Sequence, residues 1–117
     1  VGKNNKSMTA INKFESNCDF FTKFVESELK LTCIREHKFH PIRKWRIDYF
    51  IPEHNIAIEV EGGAWTQGRH TRGKGFINDM EKYNAMTMMG IKLIRVTPDK
   101  LVTSNTISMI KAMIVSR

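Results

Sequence analysis

The chain has 117 residues, 41% of them hydrophobic and 26% charged, with 19 Lys+Arg against 12 Asp+Glu and a formal net charge of +7. That length suits one domain, 1–117, with a single modest core, and no run approaches the ~18 consecutive apolar residues that a membrane span needs. A basic balance of this size favours a polyanionic partner, nucleic acid or an anionic membrane surface; no basic amphipathic helix supports the membrane.

The first residue is Val1, not Met, as in a chain processed or cut from something longer, and no secretory signal is expected. Residues 1–8 are polar and read as a loose terminus. From about Thr9 to Leu29 the pattern is helical, most clearly in "CDFFTKFVESEL". A short strand is expected near residues 33–39, closed by Pro41. Two strands follow in "RIDYFIPEHNIAIEVEGG", residues 46–63, around a Pro-containing turn. "GGAWTQGRHTRGKG" has five glycines and no periodicity, so it is a loop. "FINDMEKYNAMTMM" reads as a helix stopped by Gly90, its methionines serving as core filling. "IKLIRVTP" alternates as a strand up to Pro98, and the chain ends in a helix or broken helix. The order α-β-β-β-α-β-α is an α/β layer fold rather than a bundle. Cys18 and Cys33 form no metal-type pair and no disulfide framework; both read as buried free thiols in a reducing compartment. His37 and His40 lack the partners of a zinc set.

Three acids, Asp48, Glu59 and Glu61, sit inside the two best strands. If the connection is Pro52-Glu53-His54-Asn55, Ile51 pairs with Ile56, Tyr49 with Ile58 and Ile47 with Val60, giving one apolar face. The same register sets Asp48 across from Glu59 and Arg46 across from Glu61. An Arg–Glu pair suits a solvated face, but directly opposed carboxylates with Cβ atoms ~5 Å apart repel. Two such carboxylates are a natural seat for magnesium, which takes one or two of them and leaves its other positions to water and phosphate. In the first helix Phe20, Phe21, Phe24, Val25 and Leu29 form an apolar arc at ~100° per residue. Glu28 lies within that arc. It either reaches water at the helix end or joins the acids in a common cleft.

Arg69, His70, Arg72 and Lys74 follow directly, a cationic glycine loop suited to gripping phosphates. Gly62 and Gly63 would let a ligand approach the backbone. Trp65 could stack on a base or pack in the core. Acids that hold metal beside cations that hold phosphate are the two halves of phosphodiester cleavage.

A helix Glu, then Asp48, then Glu59 eleven residues on, then a polar residue two further, resembles the PD-(D/E)XK nuclease superfamily. "RIDYFIPEHNIAIEVEGGAW" with the later "GIKLIRVTP" looks like the very-short-patch-repair-type endonucleases and their small relatives on phages and mobile elements. The likeness covers about residues 20 to 100. It implies a restriction-endonuclease-like core, α-β-β-β-α-β with a mixed sheet flanked by helices. It implies Asp48 and Glu59 as ligands of Mg²⁺ (Mn²⁺ may substitute), the Val60 carbonyl as a third, and Glu28 as the first-helix acid. Most of the superfamily has lysine where Glu61 stands. Glu61 would then bind a second metal or position water, or a base would come from elsewhere. His70 is one candidate; Lys82 is the other, although it lies opposite the arc of Phe76, Met80 and Tyr83 and reads as solvated and available to DNA.

The expected function is a Mg-dependent DNA endonuclease in the cytoplasm of a bacterium or phage-infected host. Asp48, Glu59, Glu61, Glu28 and His70 would be its catalytic set, and Arg69, Arg72, Lys74, Trp65 and Lys82 its DNA contacts. A homodimer or a partner that directs targeting is compatible with so small a chain. The alternatives are a Holliday-junction or branched-DNA resolvase and a nuclease-like domain that binds DNA without cutting.

Overall fold

Asp19 starts the first helix. Its carboxylate accepts the Thr22 amide at 3.0 Å while the Thr22 hydroxyl accepts the Asp19 amide at 2.8 Å, a reciprocal cap that satisfies two otherwise orphaned donors. The structure, a computed structural model, describes residues 18–62 and 74–115. Its elements are α1 (Phe20–Leu29), β1 (Ile34–Lys38), β2 (Arg46–Ile51), β3 (Ile56–Val60), α2 (Lys74–Met88), β4 (Lys92–Val96), α3 (Pro98–Leu101) and α4 (Ser104–Val115).

The strands form one mixed sheet in the order β1-β2-β3-β4. The first three are antiparallel neighbours and β4 runs parallel to β3, which requires a crossover; α2 lies in it. The hairpin register is as expected near the turn, Ile51 on Ile56 and Tyr49 on Ile58, but the ladder stops there and the expected Ile47–Val60 pair is not part of it. Asn55 takes the left-handed conformation at φ 57° and ties the turn to the start of β4: its side-chain amide donates to Gly90 O, and its carbonyl accepts Lys92 N–H. Gly90, at φ 77°, stops α2. The Ile91 amide donates to Met86 O and the Gly90 amide to Thr87 O, the double closure of a Schellman ending.

Helices cover both faces, so the α/β class with a mixed sheet and flanking helices holds. Phe21 and Val25 of α1 and Ile107 and Ile110 of α4 pack on Tyr49, Ile51, Ile56, Ile58, Ile94 and Val96. On the other face Met86 and Ile91 close over Ile47, Phe50 and Ala57. Ile47 therefore leaves the single apolar face expected for Ile47, Tyr49 and Ile51. The alternation slips at Asp48, and β1 has a matching irregularity: Glu36 is left-handed at φ 56°, between Arg35, which pairs with Tyr49, and His37, which pairs with Ile47. The two irregularities lie at the same level of the β1–β2 ladder, which keeps one register on either side of them while the apolar face of β2 changes sides.

The inward face of α2 also differs from expectation. Phe76, Ile77 and Met80 are about half exposed at 57%, 55% and 50%, Met88 and Met89 are exposed, and Met86 alone of these methionines is buried. The side chains turned toward the sheet are Lys82, Tyr83 and Met86. In α1, Phe20 is exposed and the buried stripe runs through Phe21, Thr22 and Val25. The arc thus centres away from Glu28, which is exposed. Among the described residues no helix is long and apolar enough to cross a membrane.

Candidate active site

The β2–β3 ladder ends at Tyr49–Ile58. Beyond it the acids take over the backbone amides. The Val60 N–H donates to Asp48 Oδ2 at 2.8 Å, and the Asp48 N–H donates to Glu59 Oε2 at 2.7 Å. Asp48 and Glu59 are thus adjacent, but not as the directly opposed ladder pair that was expected: they interlock through main-chain donors beyond the end of the ladder. The other side of β3 stays regular, with the Glu61 amide on Val96 O at 2.8 Å.

Lys82 reaches in from α2 and places Nζ 2.5 Å from Glu59 Oε1. The two side chains are 13% and 6% exposed, so the pair is nearly out of water. Burial pushes the Glu59 carboxyl above the usual carboxylate range; the Lys82 ammonium and the Asp48 amide oppose the rise, and the Asp48 charge adds to it. Lys82 is thus an inward residue bound to the acid pair, a correction to its expected place on a solvated face beside DNA. The misreading came from fixing the apolar arc on Phe76 and Met80, which are exposed.

Glu61 is held separately. Its Oε2 accepts the Tyr83 hydroxyl at 2.6 Å and Arg95 Nε at 3.3 Å, while Arg95 lies over the Tyr83 ring at 5.0 Å. Burial and the Glu61 carboxylate raise the Tyr83 phenol; Glu61 also raises Arg95. The expected Arg46–Glu61 pair does not form. Arg46 instead lies 3.9 Å from Glu36, on the far side of the slip at Asp48 that puts Ile47 in the opposite core. Glu28, exposed on α1, makes none of the hydrogen bonds that join Asp48, Glu59 and Lys82.

The acid that α1 does bring to the sheet is Asp19. Its Oδ2 accepts the Tyr49 hydroxyl and lies 3.4 Å from Arg35 Nε. Arg35, Glu36, Asp48, Tyr49, Val60, Pro98 and Leu101 line a cavity of about 340 Å³. Asp19, Arg35, Glu36, Tyr83 and Arg95 were not anticipated. A signal existed for Asp19, since Asp-x-x-Thr ahead of an apolar run marks a helix start. Gly62 also has an internal reason: a Cβ there would lie 3.1 Å from Pro98 Cγ, so its close approach is to Pro98 at the start of α3. Trp65, Arg69, His70 and Arg72, with Gly63, lie outside the described residues. Of Lys74 only its place at the first position of α2 is described.

Among the described residues no three or more of His, Cys, Asp and Glu gather as a metal site. The donor set of Asp48 and Glu59 nevertheless suits a hard cation. A carboxylate has about four lone-pair directions. Asp48 spends one on the Val60 amide, at the wall of the cavity that Val60 also lines. One or two carboxylates, a carbonyl and water are the usual surroundings of magnesium. Comparison with models of known protein families, with curated proteins and with solved structures finds no match.

Proposed function

We propose that the chain is a metal-dependent endonuclease that hydrolyses phosphodiester bonds in DNA, using Asp48 and Glu59 as its acid pair and Lys82 as the cation beside them. The observation that carries this reading is the interlock of Asp48, Glu59 and Lys82 where the β2–β3 ladder ends, next to an open cavity. Magnesium, held by Asp48, Glu59 and the Val60 carbonyl, would neutralise charge on the phosphate and make a bound water more acidic. Lys82 supplies from α2 the positive group that the superfamily resemblance puts at position 61. In the reaction a water oxygen attacks phosphorus, the bond from phosphorus to one sugar oxygen breaks, and that oxygen takes up a proton. Glu59 fixes the direction of Lys82 Nζ, which donates a hydrogen bond to the attacking water or to a phosphate oxygen. Within this reading Glu61 is a positioning residue that anchors Tyr83, next to Lys82, to β3.

A nuclease-like domain that binds DNA without cutting it has one observation in its favour: Lys82 already pairs with Glu59 and offsets its charge. The test uses supercoiled plasmid and a four-way DNA junction, with Mg²⁺ or Mn²⁺ and with EDTA. Asp48→Asn is the right variant, because its side-chain carbonyl still accepts the Val60 amide while the charge is gone. Metal-dependent nicking by the native chain, falling at least 100-fold in Asp48→Asn, is expected, in line with removal of a catalytic electrostatic group. Equal cleavage by both proteins, or DNA binding with no cleavage under any condition, overturns the assignment.

A further inference from the structure

The turn between β1 and β2, "FHPIRKW" at residues 39–45, plays no part in the acid pair. Yet it is the most strongly cationic exposed segment among the described residues. Lys38, Arg43, Lys44 and Arg46 are all exposed within nine residues. At its tip Ile42 is 84% exposed, an apolar side chain held in solvent between Pro41 and Arg43.

The segment is also braced by its own contacts. His40 Nδ1 accepts the amides of Ile42 and Arg43, at 3.2 and 2.9 Å, which closes the turn. The Arg43 guanidinium lies 4.0 Å from the Trp45 ring centroid. Both side chains donate to Asn78 Oδ1 of α2 at 3.0 Å, and Arg43 also reaches Glu81 at 3.2 Å. Arg43 and Trp45 are thus used to dock the turn on α2. Among the described residues Arg46, 56% exposed, makes a long contact to Glu36 at 3.9 Å. Lys38 and Lys44 are exposed, and Lys38 pairs with Arg46 across the base of the hairpin. A clamped turn that holds three exposed cations around an apolar tip loses little ordering entropy on binding a polyanion.

We infer that this turn is a DNA-gripping arm, in which Lys38, Lys44 and Arg46 contact backbone phosphates and Ile42 enters a groove of the duplex. Charge complementarity calls for a polyanion, and the endonuclease reading makes that polyanion DNA. Duplex DNA carries a negative charge per ~1.7 Å of axis, and apolar side chains flanked by cations commonly enter its minor groove or wedge between base steps. Position agrees with it. Ile42 lies six residues before Asp48, at most ~20 Å away along an extended chain. That is about six base pairs of duplex, so one DNA molecule can meet both the arm and the acid pair. The inference rests on the endonuclease reading only for the identity of the polyanion as DNA.

The experiment is binding of the full chain in EDTA to a fluorescent 20-base-pair duplex, followed by anisotropy between 50 and 200 mM salt. The proteins are the native chain, Lys38→Ala/Lys44→Ala and Ile42→Ala. Each lysine removed should lower the slope of log affinity against log salt by about 0.9. The double variant should lose about 1.8 in slope, equivalent to about 60-fold in affinity at 0.1 M salt. Ile42→Ala should weaken binding at unchanged slope. A double variant that binds with native affinity and slope overturns the arm, whatever the cleavage assay shows. Arm-dependent binding by a chain that never cleaves supports the arm and overturns the endonuclease alone. A native chain that ignores the duplex but binds vesicles of phosphatidylcholine and phosphatidylserine through the same lysines overturns the DNA assignment of the arm.

Discussion

Replacing Lys82 by Met keeps most of the side-chain stem and removes only the ammonium, so Glu59 is left buried and unpaired. Breaking a buried ion pair in this way costs about 3–5 kcal/mol when the surviving charge stays charged. Glu59 has an escape, since it can take up a proton. An unperturbed Glu titrates near 4.3, and each pH unit is worth about 1.36 kcal/mol. Holding it neutral therefore costs at most about 3.7 kcal/mol at pH 7 and about 1 kcal/mol at pH 5. The sign follows from the direction of the shift: burial already raises the folded carboxyl, and losing Lys82 raises it further. A raised carboxyl contributes stability that is complete below its unfolded value and is lost as pH rises through its folded value. Urea unfolding in EDTA should place Lys82→Met about 3 kcal/mol below the native chain at pH 7, a midpoint shift of about 2 M. At pH 5 the gap should shrink to 1 kcal/mol or less. An equal deficit at both pH values, or no deficit at pH 7, would refute the claim that Lys82 compensates a buried Glu59 charge.

Restoring lysine at the superfamily position should fail. In Glu61→Lys an ammonium would replace the acceptor of Tyr83 and sit beside Arg95; thermal melting should show a loss of about 1–3 kcal/mol. In the Lys82→Met background it should restore no plasmid nicking; recovered nicking would mean that position 61 can carry the cation after all. Cys33 gives a third outcome. Burial, with Asp19 and Glu26 nearby, pushes its thiol up to about 12. At pH 8 only about one Cys33 in ten thousand is thiolate, so native protein should give at most one fast equivalent with a disulfide reagent and two in urea. Two fast equivalents without denaturant would contradict the burial of Cys33.

The parts of the fold that were legible in the sequence rest on short-range rules. Strand alternation and a four-residue connection set the β2–β3 register, and a glycine after an amphipathic run set the end of α2. The parts that were not legible depend on contacts made elsewhere. Nothing in "IREHK" says that Glu36, rather than a glycine, will take φ 56°, yet that residue lies level with the slip that puts Ile47 in the opposite core. Helix faces were misjudged for a related reason. Hydrophobic periodicity assumes that the apolar side chains face inward, but Phe20, Phe76, Ile77 and Met80 are exposed. In α2 a charge, Glu59, holds Lys82 at the sheet beside the buried Met86.

The acids on the best strands then make physical sense on stability grounds alone. Each stands in for a main-chain carbonyl where two strands stop pairing: Asp48 satisfies Val60, and Glu59 satisfies Asp48. Lys82 offsets the desolvation of Glu59, and Arg95 with Tyr83 does the same for Glu61. Among the described residues no buried side-chain polar atom is left without a hydrogen-bond partner. A structural role and a catalytic role for Asp48 are therefore compatible. The asymmetry between Asn and Asp separates them. Asn at position 48 keeps the acceptor that the fold needs and removes the charge that a divalent cation needs. A chain that melts at the native temperature in EDTA with Asp48→Asn, yet gains no stability from added Mg²⁺ where the native chain does, would tie the charge of Asp48 to the metal rather than to the fold.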